Sequence, residues 1–463
     1  MRRLPIALLV VVLAGCGTAT RTAGPAGGAA VAPKSTAFLL RLNTAFNSTQ
    51  WTAFDALLKK FPDGASFISG IAGQGADFER DVKPALGPET DLVALTGQDI
   101  GSGVFLGLTQ PRNPAKLLEL LAKGSEKSVS EVVADWRVIA DGRSTIDRFK
   151  RGRNGGVLAD SDAYREATGD LPSDALATVY AEGAAVTRAI DHVVKTGTGP
   201  VPGLGRIGWL AGAVTAKEHG FALDVRIQGD EIEATSFTAE LPAEVPADVS
   251  LFLDVKGLDA TLDELKRTPA FSKLLGPGAK ALGGLLDDAI ALFKGEAAFY
   301  ARPGAAGGEY TLVLEVADDL TAASTVDRLA TIVGALLQEV PKPVEIAGVT
   351  AKRLVVGKVT LYYAVFGGKL VVTTAESGIA GLRSGGERLA DSRSWADAKA
   401  AAEMPGETAG IFYADVPRVL PLLVKSKALP SQVTRNLAPL GTALVYGSVD
   451  GTVLSLKGFV SVR

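Results

Sequence analysis

One succession of residues occurs twice in this chain, and this repeat constrains the fold more than any other feature of the sequence. The first occurrence contains Leu158-Ala159-Asp160-Ser161, Tyr164, Pro172 and Tyr180-Ala181. The second contains Leu389-Ala390-Asp391-Ser392, Trp395, Pro405 and Tyr413-Ala414. Three weaker matches keep the same order, namely Phe38–Asn43 with Ser250–Val255, Asp81–Leu95 with Asp288–Arg302, and His219-Gly220 with Asp450-Gly451. The sequence therefore predicts two tandem copies of one unit, residues 37–245 and 246–463.

Each predicted copy mixes strand and helix periodicity. Residues 249–255 alternate Val249, Leu251, Leu253 and Val255 with Ser250, Phe252 and Asp254, which is typical of a strand with one buried face. Residues 48–61 space large apolar side chains as a helix does, after a capping Ser48 or Thr49 and before Pro62. Residues 359–374 predict a β-hairpin around Gly367-Gly368. These patterns predict the α+β class, with antiparallel sheets and packed helices.

Composition excludes several classes of function. Apolar residues make up 47% of the chain and charged residues 21%, as in a globular protein. The 48 Lys and Arg nearly balance the 51 Asp and Glu, so we expect no nucleic-acid partner. One Cys and two His leave too few ligands for a zinc cluster, and we expect no metal and no cofactor.

The N-terminus has the features of an export signal. Met1-Arg2-Arg3 precedes the apolar run Leu4–Leu13, which is shorter than the ~20 residues of a membrane-spanning helix. The run ends in Leu13-Ala14-Gly15-Cys16, which resembles the bacterial lipobox. We expect residues 1–15 to be a lipoprotein signal peptide, Cys16 to carry the lipid, and residues 16–36 to form a flexible tether. The alternative is an ordinary signal peptide in which Cys16 occurs by chance.

The first copy also carries a family resemblance. The stretches FLLRLNT, STQWTAFDALLKKFPDG and DVKPALGPETDLVAL resemble the opening of the actinobacterial envelope family catalogued as domain of unknown function 3352. The resemblance extends over most of residues 37–463 and implies an extracytoplasmic, membrane-attached protein of unassigned activity. It implies no catalytic or ligand-binding residue.

Candidate chemical motifs have simpler structural interpretations. Asp160-Ser161-Asp162 lacks the Gly and the distal Glu of a calcium loop and is better interpreted as a turn or helix cap. A Ser/His/Asp triad would need His192 or His219, and His219 lies in a predicted hairpin turn. The GxGxxG at Gly203–Gly208 follows a Gly/Pro loop and precedes a predicted strand, so it is not a dinucleotide fingerprint. We expect no catalytic residue.

Two clusters keep both a structural and a functional interpretation. The basic residues Arg143, Arg148, Lys150, Arg151 and Arg153 are either a solvated loop or a contact for anionic lipid headgroups or envelope polymers. The aromatic stripe of Trp51, Phe54 and Phe61 is either core or the lining of an apolar cavity.

These observations predict a non-enzymatic binding or scaffold lipoprotein on the outer face of the cytoplasmic membrane. Its partners would be the membrane, reached through the lipid on Cys16, and an envelope protein, a polymer or an apolar ligand between helix and sheet. One alternative is a purely structural envelope protein without a deep pocket. The other is a hydrolase with two carboxylates about 5 to 10 Å apart in a cleft.

Overall fold

The computed structural model describes residues 27–72, 76–124, 128–194, 201–268, 284–304, 307–425 and 429–463. They belong to two compact units. The first contains the chain up to Asp230 together with Thr452–Arg463, and the second contains Glu231–Gly451. Both units combine helices with antiparallel strands, so the α+β class predicted from the sequence is confirmed.

The described part of the first unit has a nine-stranded antiparallel sheet. Its strands are β1 (Phe38–Asn43), β2 (Glu89–Ala94), β3 (Leu106–Thr109), β4 (Val129–Val133), β5 (Trp136–Ala140), β6 (Ala177–Glu182), β7 (Ile207–Lys217), β8 (Gly220–Gly229) and β18 (Val453–Val462). Hydrogen-bonded pairing places them in the order β4-β5-β3-β2-β1-β6-β7-β8-β18. Two hairpins, β4–β5 and β7–β8, account for most of the local pairing.

Three of the described helices of this unit begin at a side-chain cap, supplied by Ser48, Thr96 and Asn113. The helices of the unit are α1 (Thr49–Leu58), α2 (Gly64–Ala72), α3 (Lys83–Ala85), α4 (Gly97–Ser102), α5 (Pro114–Lys123), α6 (Arg143–Gly152), α7 (Asp162–Thr168) and α8 (Gly183–Val194). The Ser48 hydroxyl accepts a hydrogen bond from the Trp51 N–H, as predicted, and Asn113 caps α5 with Pro114 at its first position. A main core contains Ile146 and Phe149 of α6.

The described part of the second unit also has nine antiparallel strands. They are β9 (Leu251–Lys256), β10 (Glu296–Gly304), β11 (Gly307–Glu315), β12 (Lys342–Ile346), β13 (Val349–Val356), β14 (Val359–Phe366), β15 (Lys369–Thr373), β16 (Gly410–Asp415) and β17 (Leu440–Asp450). Their order is β12-β13-β14-β15-β11-β10-β9-β16-β17. The predicted hairpin is β14–β15, and Gly367 and Gly368 at its turn both have positive φ.

The helices of the second unit are α9 (Asp259–Lys266), α10 (Leu285–Ala291), α11 (Asp319–Leu337), α12 (Glu376–Arg383), α13 (Arg393–Ala401), α14 (Val416–Lys425) and α15 (Ser431–Leu437). Among the described helices, α11 alone is long and apolar enough to cross a membrane by length and composition. It packs in this unit, where its Ala330 lies against Leu354 of β13 and Tyr363 of β14.

The structure differs from the predicted domain organisation at two places. Residues 27–36, predicted to belong to the flexible tether, are folded: Gly27–Ala30 form a 3-10 turn, and Ala29 and Ala32 are fully buried in the core of the first unit. The boundary also lies after Asp230 rather than after residue 245, and the C-terminal strand β18 belongs to the first unit. β18 pairs with β8 along nearly its whole length, and this pairing places it there.

Candidate functional site

Strand β9 buries the face that carries Phe252 and Asp254. Phe252 and Asp254 are completely buried, whereas Leu253 between them is 40% exposed. On the buried side, Phe252 and Tyr413 make edge-to-face contacts with Trp395 of α13, at centroid distances of 5.9 Å and 5.3 Å. The opposite side, which carries Leu253, is therefore the incompletely covered face of this sheet.

A row of apolar side chains crosses four adjacent strands on that face. Leu253 of β9 lies opposite Phe412 of β16 and Phe299 of β10, and Phe299 lies opposite Leu312 of β11. Phe299 and Phe412 are each 37% exposed. Tyr310 extends the row by stacking on Phe299, with ring centroids 6.3 Å apart. We call Leu253, Phe299, Leu312 and Phe412 the apolar row.

The helices next to these strands leave the row half covered. α14 contacts β10, β11, β16 and β17, and α15 contacts α14. Eight of the ten residues of α14 are Val, Leu or Pro, yet neither α14 nor α15 has a fully buried residue. Pro421 lies inside α14, where it removes one backbone hydrogen bond. Most residues of α14 are half-buried, so the helix buries less apolar surface than a core helix does, and Arg418 also ties it to the carbonyl groups of Ala247 and Val249.

The second unit also contains a buried pair of acids. Asp254 of β9 and Glu296 of β10 are 0% and 3% exposed, and neither Asp254 carboxyl oxygen has a hydrogen-bond partner among the described residues. The Glu296 Oε1 atom accepts hydrogen bonds from the backbone N–H groups of Glu240 and Leu241, at 2.9 Å and 2.8 Å. These bonds hold the 3-10 turn Leu241–Ala243 against the sheet. Burial, followed by the neighbouring Glu296 carboxylate, raises the pKa of Asp254 far above its ordinary value.

The first unit has a related cluster in which a cation takes part. The Arg41 Nε atom lies 3.2 Å from the Glu89 Oε1 atom, which also accepts a 2.8 Å hydrogen bond from the Gly28 N–H. Arg41 also donates a 3.3 Å hydrogen bond to the Tyr164 hydroxyl. Asp91 is completely buried beside them, and burial and the Glu89 charge raise its pKa. Glu89 thus fastens the turn Gly27–Ala30 as Glu296 fastens Leu241–Ala243.

Strand pairing places Arg41 and Asp254 at corresponding positions, one residue away from the predicted match of Phe38–Asn43 with Ser250–Val255. Each lies two residues after a residue that faces the tyrosine of the next strand, Leu39 opposite Tyr180 in one unit and Phe252 opposite Tyr413 in the other. The tandem duplication stays a prediction, but this correspondence lets the two acid clusters be compared position by position. The first unit places the Arg41 guanidinium beside its acids, whereas neither Asp254 nor Glu296 forms an ion pair within the described ranges.

Neither acid cluster has the geometry that we expected of a hydrolase. Asp91 and Asp254 are completely buried rather than exposed in a cleft, where a hydrolase would hold two carboxylates 5 to 10 Å apart. A surface pocket of about 450 Å³ lies elsewhere in the second unit, against Trp395, Lys399 and Glu403. No group of three or more His, Cys, Asp and Glu side chains in the described ranges is arranged to hold a metal ion.

The remaining predicted site residues are dispersed. Cys16 lies outside the described residues, as does the side chain of His192, whose backbone is in α8. His219 is exposed in the turn between β7 and β8, as predicted, 3.7 Å from Glu218. Asp160-Ser161-Asp162 joins a 3-10 turn to the start of α7, which is the predicted structural role. Gly203–Gly208 leads from a tight turn at Val201–Gly205 into β7 rather than into a helix.

Most of the predicted basic cluster forms ion pairs. Arg143 and Lys150 both bind Glu131, at 3.1 Å and 2.8 Å. Arg148 binds the carboxylate of Asp99 through both terminal nitrogens. These three side chains hold α6 to β4 and α4. The predicted solvated loop is therefore wrong for most of the cluster, because Arg143–Gly152 form a helix. Of the aromatic stripe, Trp51 and Phe54 are half-buried and contact each other edge to face, at a centroid distance of 5.3 Å.

Sequence reasoning missed both the apolar row and the acid clusters. The alternation in residues 249–255 gave a strand, but both of its faces contain apolar residues, so the pattern does not say which face is buried. The one signal was an aspartate inside a strongly apolar strand, since Asp is depleted in strands and needs a partner when buried.

No known family model matches the chain, and no curated protein matches it. Among solved structures, crystal form I of TP0453 is 11% identical, with a TM-score of 0.26 over 46% of this chain and 80% of that chain. Crystal form IV of TP0453 is 12% identical, with a TM-score of 0.25 over 43% of this chain and 81% of that chain. At these TM-scores the likeness supports no inference about function.

Proposed function

We propose that this protein is a lipid-anchored binding protein of the cell envelope, and that it holds an apolar chain along the apolar row of its second unit. The lipobox-like Leu13-Ala14-Gly15-Cys16 supports the anchor, and the resemblance to the envelope family is consistent with it. The ligand proposal rests on one observation, which is that Leu253, Phe299 and Phe412 are each 37–40% exposed on adjacent strands. Their neighbouring helices α14 and α15 contribute no fully buried residue.

The shape of the row favours a slender ligand. Four adjacent strands, at about 4.8 Å per spacing, give a linear apolar track of roughly 14 Å. Each side chain in it is already more than half covered, so a flat protein surface would not reach it without displacing a helix. An extended acyl chain fits such a track. Burial of its apolar surface would stabilise binding by about 25 cal/mol per Å². α14, which is apolar and half-buried, would close over the chain.

The ligand proposal is tested with the mature, untagged protein. Mass spectrometry after gentle extraction should find a co-purifying molecule with an acyl chain, and a fluorescent fatty acid such as dansyl-undecanoic acid should bind with increased emission. Phe299→Ser together with Phe412→Ser should weaken probe binding at least tenfold, because two apolar contacts are lost. Leu320→Ser is the matched control, since Leu320 is an exposed apolar residue of α11. A mature protein that carries no apolar molecule and does not bind the probe would contradict the proposal.

The anchor is tested separately from the ligand. Cys16→Ser removes the thiol that would carry the lipid, so the variant should leave the membrane fraction while keeping its probe affinity. Retention of the variant in the membrane fraction after a high-salt wash would show that the lipobox interpretation is wrong.

A further inference from the structure

Three cations beside the N-terminal segment of the first unit have no ion-pair partner among the described residues. They are Lys34, Arg151 and Arg153, whereas the other members of the basic cluster bind Glu131 or Asp99. Lys34 lines a surface pocket of about 280 Å³ together with Ser35, Gly152 and Gly155. Arg151 and Arg153 flank Gly152 in the chain. We call these three residues the basic surface.

The backbone around this pocket brings the two segments together. The Lys34 N–H donates to the Gly156 carbonyl at 2.9 Å, and the Leu158 N–H donates to the Ala32 carbonyl at 2.9 Å. Gly152 lies against Pro33, and a Cβ atom on Gly155 would meet no atom within 4 Å. Gly155 thus leaves its side of the pocket open to an anion, whereas the α-carbon of Gly152 lies against Pro33.

The second unit builds the same connection without these cations. There the Ala247 N–H donates to the Glu387 carbonyl at 3.0 Å, and the Leu389 N–H donates to the Val245 carbonyl at 2.8 Å. Aligned on these bonds and on the repeated Leu-Ala-Asp-Ser, the positions of the basic surface hold Ala247, Leu382 and Ser384. A nearby cation of the second unit, Arg388, is used within the loop, where it donates to the carbonyl groups of Glu244, Gly381 and Ser384. The fold therefore does not require the three cations of the first unit.

The basic surface is close in sequence to the proposed lipid. Gly27, the first described residue, lies eleven positions after Cys16, and a chain of that length reaches at most roughly 40 Å. Lys34 belongs to the folded segment that follows. Anionic headgroups attract Lys and Arg near the membrane surface by about 1 kcal/mol per residue. We propose that Lys34, Arg151 and Arg153 dock the first unit on the phosphate headgroups of the anionic membrane that holds its lipid. This inference rests on the proposed lipid anchor.

The test uses the mature chain with Cys16→Ser, so that no lipid contributes to binding. Co-sedimentation should show binding to vesicles of phosphatidylglycerol and phosphatidylcholine, weaker binding at higher salt, and little binding to phosphatidylcholine alone. Replacing Lys34, Arg151 and Arg153 together by Ala should weaken binding on the order of 100-fold. The matched control removes three other cations of the same unit, Lys59, Arg112 and Lys217. Arg151→Glu alone is a second variant that leaves the pocket lining unchanged.

The outcomes separate this inference from the proposed function. Equal weakening by the control variant would show that net charge, not this surface, drives binding, and equal binding to neutral vesicles would also overturn the inference. Unchanged vesicle binding by both the triple variant and Arg151→Glu would do the same. Dansyl-undecanoic acid should bind the triple variant as it binds the parent, because the apolar row is unaltered. A parent protein that binds anionic vesicles but not the probe would count against the apolar row and not against the basic surface.

Discussion

Asp254 and Glu296 are buried on adjacent strands of the second unit, and neither Asp254 carboxyl oxygen has a hydrogen-bond partner among the described residues. Burial, followed by the neighbouring Glu296 carboxylate, raises the pKa of Asp254 to about 9. Glu296 accepts hydrogen bonds from the backbone N–H groups of Glu240 and Leu241. Asp254 forms no ion pair within the described part of the chain, and its pKa is raised, so we expect it to be protonated at neutral pH.

Asp254→Asn should make the second unit less sensitive to pH. At pH values below the ordinary pKa of 3.8, Asp254 is protonated in both the folded and the unfolded chain, so it contributes no pH dependence to the stability. As the pH rises above that value, the unfolded chain loses the proton first. The wild-type unit then loses stability, by up to about 1.4 kcal/mol per pH unit, until the raised pKa is reached. Asn cannot ionise and avoids this loss.

The measurement is the urea midpoint of both proteins between pH 5 and pH 9. The advantage of Asp254→Asn should increase with pH, whereas exposed Asp397→Asn should track the wild type. An Asn variant that is equally destabilised at every pH would show that Asp254 is ionised in the folded protein.

Arg41→Met should destabilise the first unit by about 3 kcal/mol, because it leaves the partly exposed Glu89 and the completely buried Asp91 without their cation. Tyr164→Phe removes only the 3.3 Å hydrogen bond to Arg41 and should cost about 1 kcal/mol. Urea unfolding of the two variants gives the comparison. The lost ion pair matters less as the acids become protonated, so the loss of unfolding free energy in Arg41→Met should shrink at low pH. A loss that does not depend on pH would contradict the role of Arg41 as the cation of this cluster.

Gly28→Ala should loosen the folded N-terminal segment. A Cβ atom at Gly28 would lie 1.7 Å from the Asp91 Oδ2 atom, and Asp91 is completely buried and has no room to move away. We expect a cost of about 1–3 kcal/mol, as for other overpacked positions. Limited proteolysis should then cut the segment that contains Ala29 and Ala32 faster than in the wild type. Gly155→Ala, where a Cβ meets nothing within 4 Å, is the control and should leave the cutting rate unchanged.

Local patterns in the sequence predicted the elements but not their partners. The hairpin at Gly367-Gly368 and the cap at Ser48 follow from short-range turn and cap chemistry, and the structure has both. The membership of β18 in the first unit depends on pairing with β8, more than two hundred residues away, and no local pattern contains that information. The burial of Asp254 likewise depends on Glu296 and on two backbone N–H groups from another segment.

Phe252 and Phe299 give the sharpest test of which face of the second sheet is core. Phe252→Ala should cost about 3–5 kcal/mol, because the side chain is completely buried against Trp395. Phe299→Ala should cost less than about 1.5 kcal/mol, because its ring already contacts solvent over 37% of its surface. With bound dansyl-undecanoic acid the difference between the two costs should narrow. The ligand would stabilise the wild type by RT ln(1 + [L]/Kd) but not Phe299→Ala, so the cost of Phe299→Ala would rise. Equal costs for the two variants without ligand would show that helices cover the apolar row as fully as they cover the opposite face.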